Sequence, residues 1–195
     1  DVEAPLANFF ASGVFNLRAK LGPILWQFPP NFRYQRERMA RFFDLLPHDT
    51  GAALRLARKR DARLKGRARL AIDEQRLLRH AVEIRHESFV DASFIELLRE
   101  RNIALVIAET AQRWPMPLDI TADFVYMRLH GDKELYRSGY SSKALDRWAD
   151  RIRQWSRLRE VYCYFDNTDV KLRAPVDAQT LMRKLGLPRG SGISL

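Results

Sequence analysis

The chain has 195 residues, 46% of them hydrophobic and 11% aromatic, enough for one sizeable core. Its 34 Lys and Arg against 24 Asp and Glu give a formal charge of +10, which makes polyanion binding, nucleic acid included, one class of function to weigh. No 18-residue apolar run exists, so neither a membrane-spanning helix nor a membrane partner is expected.

The opening DVEAPLANFF lacks the basic start of a signal peptide, so none is expected. Cys163 is the only cysteine, which excludes an internal disulfide and a cysteine-based zinc site and fits a reducing, cytoplasmic setting. The expected organisation is a single domain over 1–187 with a flexible tail over 188–195.

In chain order, ANFFASGVFNLRAKLG (7–22) predicts one helix, followed by a first strand in GPILWQF (22–28). Residues 35–46 place Met39, Phe42, Phe43 and Leu46 on one stripe of a second helix. Between 55 and 69 eight basic residues, Arg55 to Arg69, stand against the single acid Asp61. A solvated helix and loop and a phosphate-contacting surface both fit that run. GRARLAIDEQRLLR (66–79) is polar and irregular, and reads as an excursion away from the sheet.

HAVEIRH (80–86) predicts the second strand, and Asp91 caps a helix over 92–101 with Phe94, Leu97 and Leu98 inward. IALVIAE (103–109), DFVYMRLH (123–130) and EVYCYFD (160–166) complete five strands. The longest helix, 142–157, carries Leu145, Trp148, Ile152 and Trp155 at helical spacing.

Strand and helix in strict succession imply parallel pairing and an α/β fold. In an open doubly wound sheet the central strands are apolar on both faces. Here alternate positions are polar: Gln27, then Glu83 and Arg85, then Glu109, then Tyr126, Arg128 and His130, then Tyr162, Tyr164 and Asp166. Their neighbours Val125, Met127, Leu129, Val161, Cys163 and Phe165 should face helices. Polar strand ends on one face indicate a (β/α)8 TIM-barrel type with its site at the carboxyl ends. Five strands make such a barrel incomplete, with about three strands expected ahead of the first; an independent five-stranded domain is the competing reading.

Glu83, Glu109, His130 and Asp166 form the expected catalytic set. Crowded carboxylates push one pKa up, and a histidine can shuttle protons near neutral pH. The same set could hold a divalent Mg²⁺ or Mn²⁺, and its bland alternative is a structural ion-pair network with Arg85 and Arg128. Arg85, Arg128 and Lys171 favour an anionic or polyhydroxylated small ligand. Gln27, Asn167 and the turn glycine Gly131 join the binding set. Tyr126, Tyr164 and Trp26 could stack on a sugar, although aromatic filler is the commoner role of such rings. His86, on the opposite alternation from Glu83, is expected to cap its loop. Ser88 and Thr110 have no nucleophile elbow around them, and GxGxxG and GxxxxGK[ST] are absent.

Together LGPILWQFPPNF, AVEIRHESF, ALVIAET, ADFVYMRLHGDKELYRSGY and VYCYFDNTDVKLRAP resemble, in order and spacing, the YecE-like family of bacterial and archaeal proteins, catalogued as domain of unknown function number seventy-two. The resemblance covers nearly all of residues 5–186. It implies a TIM-barrel-like protein grouped with sugar isomerases, with an isomerase or hydrolase activity on a sugar or sugar phosphate as the expected chemistry. Two positions depart from the family pattern: Glu109 replaces an aspartate, lengthening the arm by one methylene, and Thr168 is an extra residue before Asp169. The alternative function is polyanion binding without catalysis, and an open sheet edge would permit self-association.

Overall fold

A computed structural model describes residues 2–167 and 172–188 of the chain. Thr168, Asp169, Lys171 and the expected tail beyond Pro188 fall outside the described residues. The strands are β1 (Ile24–Gln27), β2 (His80–Glu83), β3 (Ala104–Glu109), β4 (Phe124–Leu129) and β5 (Glu160–Phe165). They form one sheet in the order β1-β2-β3-β4-β5. The helices are α1 (Glu3–Ala11), α2 (Arg36–Asp44), α3 (Thr50–Ala57), α4 (Ala92–Glu100), α5 (Ser142–Trp155) and α6 (Ala174–Lys184). This is the α/β arrangement of adjacent parallel strands with covering helices that the strand-helix succession implies, an incomplete barrel type.

By its contacts the chain divides into two compact units, residues 1–26 with 34–81 and residues 27–33 with 82–195, the boundary passing through β1 and β2. In the first unit α1 packs on α3. Ala7, Ala11, Ala53 and Ala57 are fully buried, and such small side chains let two helix backbones approach closely while Phe10, Phe43 and Met39 fill the space around them.

The single helix expected over 7–22 is broken. Gly13 adopts φ 121°, a conformation open to glycine and costly for other residues, and a 3-10 segment over Val14–Lys20 follows. α3 starts at Asp49, whose carboxylate accepts from the Ala52 amide at 2.7 Å. Trp26, weighed as a sugar platform, instead packs edge-on against Phe9 and Phe42 and donates its indole N–H to His80 Nδ1 at 3.1 Å. Indole nitrogen only donates, so Nε2 of His80 carries the proton and donates to the Pro47 carbonyl, 2.8 Å away.

In the second unit β4 is the central stave. It pairs in parallel with β3, Ala108 opposite Arg128 and Glu109 opposite Leu129, and with β5, Arg128 opposite Tyr164. Val125, Met127 and Leu129 bury against Leu145, Trp148 and Ile152 of α5 and Leu181 of α6, as the alternation requires. The Asp91 cap forms, accepting from Ser93 N at 2.8 Å, and Ser141 caps α5 through Ala144 N. α3 and α6 were not predicted. α6 carries Pro175 in its first turn, where a missing N–H costs nothing.

Candidate functional site

Charged groups sit at the ends of β2, β4 and β5 because period-two alternation sends one side-chain set away from the helices and the strand ends lift them out of the apolar layer. Glu83 is fully buried, and both its oxygens are occupied. Arg85 Nε donates to Oε1 at 2.9 Å and Arg128 Nη1 to Oε2 at 2.5 Å. Arg128 Nη2 reaches Asp166 Oδ2 at 2.6 Å. Gln27 Oε1 accepts from Arg85 Nη2 at 2.7 Å and Arg128 Nη1 at 3.2 Å.

The result is a chain of alternating charge, Arg85, Glu83, Arg128, Asp166. Burial works against the Arg128 charge, but hydrogen bonding and pairing with Glu83, with Asp166 beyond, outweigh it and raise the guanidinium pKa. Such a network holds its members in one geometry. Glu83, expected to be catalytic, is fully buried with each oxygen paired to a guanidinium, an arrangement that holds Arg85 and Arg128 in place.

His130 lies one residue past β4 and is fully buried. Its Nδ1 stands 3.2 Å from Asp166 Oδ2, yet the angle is wrong for a hydrogen bond, and neither ring nitrogen has a hydrogen-bond partner among the described residues. The Tyr136 ring covers it edge-on at 5.1 Å. Burial, with the Arg128 charge beside it, lowers the imidazole pKa, so His130 is neutral at neutral pH.

Gly131 was expected to bring backbone to a ligand. It does bring backbone close, but to its own loop: at φ 129° a Cβ there would stand 2.3 Å from the Glu134 carbonyl oxygen. Asn167, expected to bind ligand, is fully buried and donates to the Ser138 carbonyl at 3.0 Å and to Asp177 Oδ2 at 2.9 Å. It holds the loop after β4 and has no exposed surface to offer. Lys171 lies outside the described residues. Tyr126 and Tyr164 share the inner face with Arg128, their rings 5.1 Å apart, with Tyr164 exposed. Cys163 faces the helix layer, where burial pushes its thiol up to about 12, so it is no nucleophile.

Glu109 is where the structure departs most from the alternation reading. Lying opposite Leu129, it is on the helix-facing side, away from the other three residues of the expected set. There Trp148 Nε1 donates to its Oε2 at 2.6 Å, and the Tyr140 hydroxyl bonds it as well. Burial raises its pKa against the lowering effect of these two bonds. Among the described residues no three His, Cys, Asp or Glu side chains stand together as a metal cluster, which agrees with the separation of Glu109 from Glu83 and Asp166.

Glu109 lines a cavity of about 760 Å³ together with Arg85, Glu87, Arg113, Trp114, Asp132 and Arg147. Arg85 is stacked over the Trp114 ring at 4.0 Å. Ala111 and Gln112 on its wall have φ 48° and 63°, strain that non-glycine residues keep only where surrounding structure enforces it. Thr110, fully buried, secures this turn by accepting from Trp114 N at 3.1 Å. His86 caps its own turn through Ser88 N, as expected. Trp114, Tyr136 and Tyr140 escaped the sequence reading, and Trp148 was read only as part of a helix stripe; the one available signal was that a buried indole or phenol needs a polar partner.

The family profile described as "Protein of unknown function DUF72" matches residues 1–192. No curated protein matches the chain. Among solved structures, a DUF72 family protein from Thermotoga maritima is similar at 23% identity and a TM-score of 0.64, covering 86% of this chain and 59% of that one. A DUF72 family protein from Enterococcus faecalis is similar in two crystal structures. One shows 18% identity and a TM-score of 0.64 over 87% of this chain and 60% of that one; the other shows 19% and 0.60 over 87% and 62%. At these identities the likeness shows the fold alone, and this chain spans 59% to 62% of the length of the solved relatives. The profile match bears out the resemblance carried by the five strand-end motifs: the chain belongs to the DUF72 family of proteins of unknown function.

Proposed function

We propose that the cavity beside the ends of β2 and β3 takes a polyhydroxylated small molecule, a sugar or sugar phosphate, and that Glu109 is its acid/base group, in an isomerase or hydrolase type of proton transfer. The observation that carries this reading is the environment of Glu109. Its carboxyl has a pKa raised by burial, is hydrogen-bonded by neutral donors with the Arg147 charge a lesser influence, and opens on a cavity of ligand size. A carboxyl whose charged form is disfavoured by burial holds its proton more tightly than an exposed one and can pass it to a bound ligand.

The walls suit hydroxyl recognition. Among the described residues Arg113 and Arg147 have no carboxylate partner within ion-pair distance, and Glu87 and Asp132 add acceptors to the same lining. Guanidinium forks and carboxylates together match the donors and acceptors of a polyol, and the arginines accommodate a phosphate. The Glu83 network acts beneath as a rigid support that sets the position of Arg85.

The test is ligand-observed NMR with a panel of monosaccharides and monosaccharide phosphates, in D₂O so that proton exchange at carbon is read in the same tubes. Binding that Arg113→Ala or Arg147→Ala weakens, with exchange that Glu109→Gln abolishes while binding persists, supports the reading. Absence of binding across the panel, or exchange undiminished in Glu109→Gln, overturns it.

A further inference from the structure

The two units differ in charge. The first carries fifteen Lys and Arg against eight Asp and Glu, +7 of the chain's +10, in well under half of its length. Most of that excess lies in the 55–69 run, which leaves α3 and continues through a 3-10 turn at Ala62–Leu64. Arg55, Arg58, Lys59, Arg63, Lys65, Arg67 and Arg69 are all exposed. Lys59 is paired with Glu3 at 2.5 Å and Arg63 with Asp61 at 3.5 Å. The other five have no acidic partner among the described residues.

This surface is built. Asp61 accepts from Arg63 N at 2.9 Å, and its own amide donates to Asn8 Oδ1 at 3.1 Å, which fixes the run against α1. Arg67 Nη2 donates to the Arg63 carbonyl at 2.6 Å. Arg69 Nη1 donates to the carbonyls of Arg67 and Ala68, and its amide to Ala11. Carbonyls orient a guanidinium without neutralising it, so part of the ordering cost is met before any ligand arrives.

We propose that this face of the first unit binds the phosphate backbone of nucleic acid, independently of the cavity and of any chemistry at Glu109. Guanidinium forks suit phosphate. No aromatic side chain occurs between 55 and 79, so there is no stacking platform for bases, and the binding is indifferent to sequence. No large apolar side chain is exposed within the basic run from 55 to 69, so charge is not interleaved there with the apolar anchors of a membrane-surface segment, and nucleic acid is favoured over an anionic bilayer; Leu77, exposed beyond the run, makes the vesicle comparison part of the test.

The test is fluorescence anisotropy with a labelled mixed-sequence duplex, titrated at several salt concentrations. Three proteins are compared: the unmodified chain, the triple variant Arg58→Gln, Arg63→Gln, Lys65→Gln, and a control triple in the second unit, Lys133→Gln, Lys143→Gln, Arg157→Gln. All six positions are exposed, and circular dichroism confirms that each variant folds.

The expected result is affinity that falls steeply with salt. The first triple should lose about tenfold or more in affinity, with a log–log salt slope shallower by about 2 to 3, while the control changes little. Equal weakening by both triples would reduce the effect to net charge and overturn the proposal. So would an unaltered slope in the first triple, absence of binding by the unmodified chain, or binding to phosphatidylserine vesicles in preference to the duplex.

Discussion

Glu83 and Glu109 end neighbouring strands of one sheet, and their surroundings are opposite in kind. Glu83 is sealed between two guanidiniums that take both of its oxygens. Glu109 is held by an indole and a phenol, neutral donors, with one side open to a cavity. The first environment fixes the position of the carboxylate; the second, by burial, makes the charge of Glu109 costly. A carboxylate at a strand end is thus not a role in itself, and its partners decide whether it supports the fold or meets a ligand.

The largest way to break this comparison is at Glu83. Glu83→Ala leaves Arg85 and Arg128 facing one another without their shared counter-ion, and unfolding in urea should show a loss of about 3–5 kcal/mol. Gly131→Ala attacks the loop beside both groups. With φ at 129° and the Glu134 carbonyl in the way, it should cost about 2 kcal/mol and lower the thermal midpoint. Tyr140→Phe removes the hydroxyl that accepts from Gly131 N at 3.0 Å and bonds Glu109. A loss of about 1 kcal/mol in the same urea titration is expected.

Glu109→Gln gives the smallest effect and the sharpest one. Because burial raises the Glu109 pKa in the folded state, the folded protein holds that proton more tightly than the unfolded chain does. Stability from this source is complete below the ordinary carboxylate range and is lost as pH rises through the raised value. Glutamine does not ionise, and its carbonyl still accepts from Trp148. The variant should therefore gain on the unmodified protein as pH is raised from the ordinary carboxylate value of about 4 through the raised one, read as the difference in thermal midpoint. A pH-independent difference would mean that Glu109 titrates as an ordinary surface carboxyl.

Much of the fold was legible because strands and amphipathic helices write their periods into the chain. β4 shows it best: Val125, Met127 and Leu129 went to the helices, and Arg128 went to the other face. The misses are where local pattern meets a nonlocal constraint. α3 and α6 lie in stretches too polar or too short for a clear stripe, and the first helix ended early because Gly13 took a backbone angle that no periodicity records.

Glu109 was misplaced by the same limit. Its strand reads apolar at every position from Ala104 to Ala108, so alternation had no polar residue against which to set its phase, and only the pairing with β4 assigned it a side. Asn167 was misread because polar residues near a strand end look alike in sequence whether they reach solvent or, as here, close a buried hydrogen bond.

By itself the sequence determined the strand-helix succession, the parallel sheet and the concentration of positive charge over 55–69, which follow from composition and short-range periodicity, properties of neighbouring residues. The family was legible separately, through the resemblance of its five strand-end motifs. Only the tertiary structure decided that Glu83 is buried between two guanidiniums, that His130 is sealed under Tyr136, and that Glu109 opens on a cavity. Those outcomes depend on which distant side chains share a few ångströms of space, and electrostatics and desolvation act through that distance and not through separation along the chain.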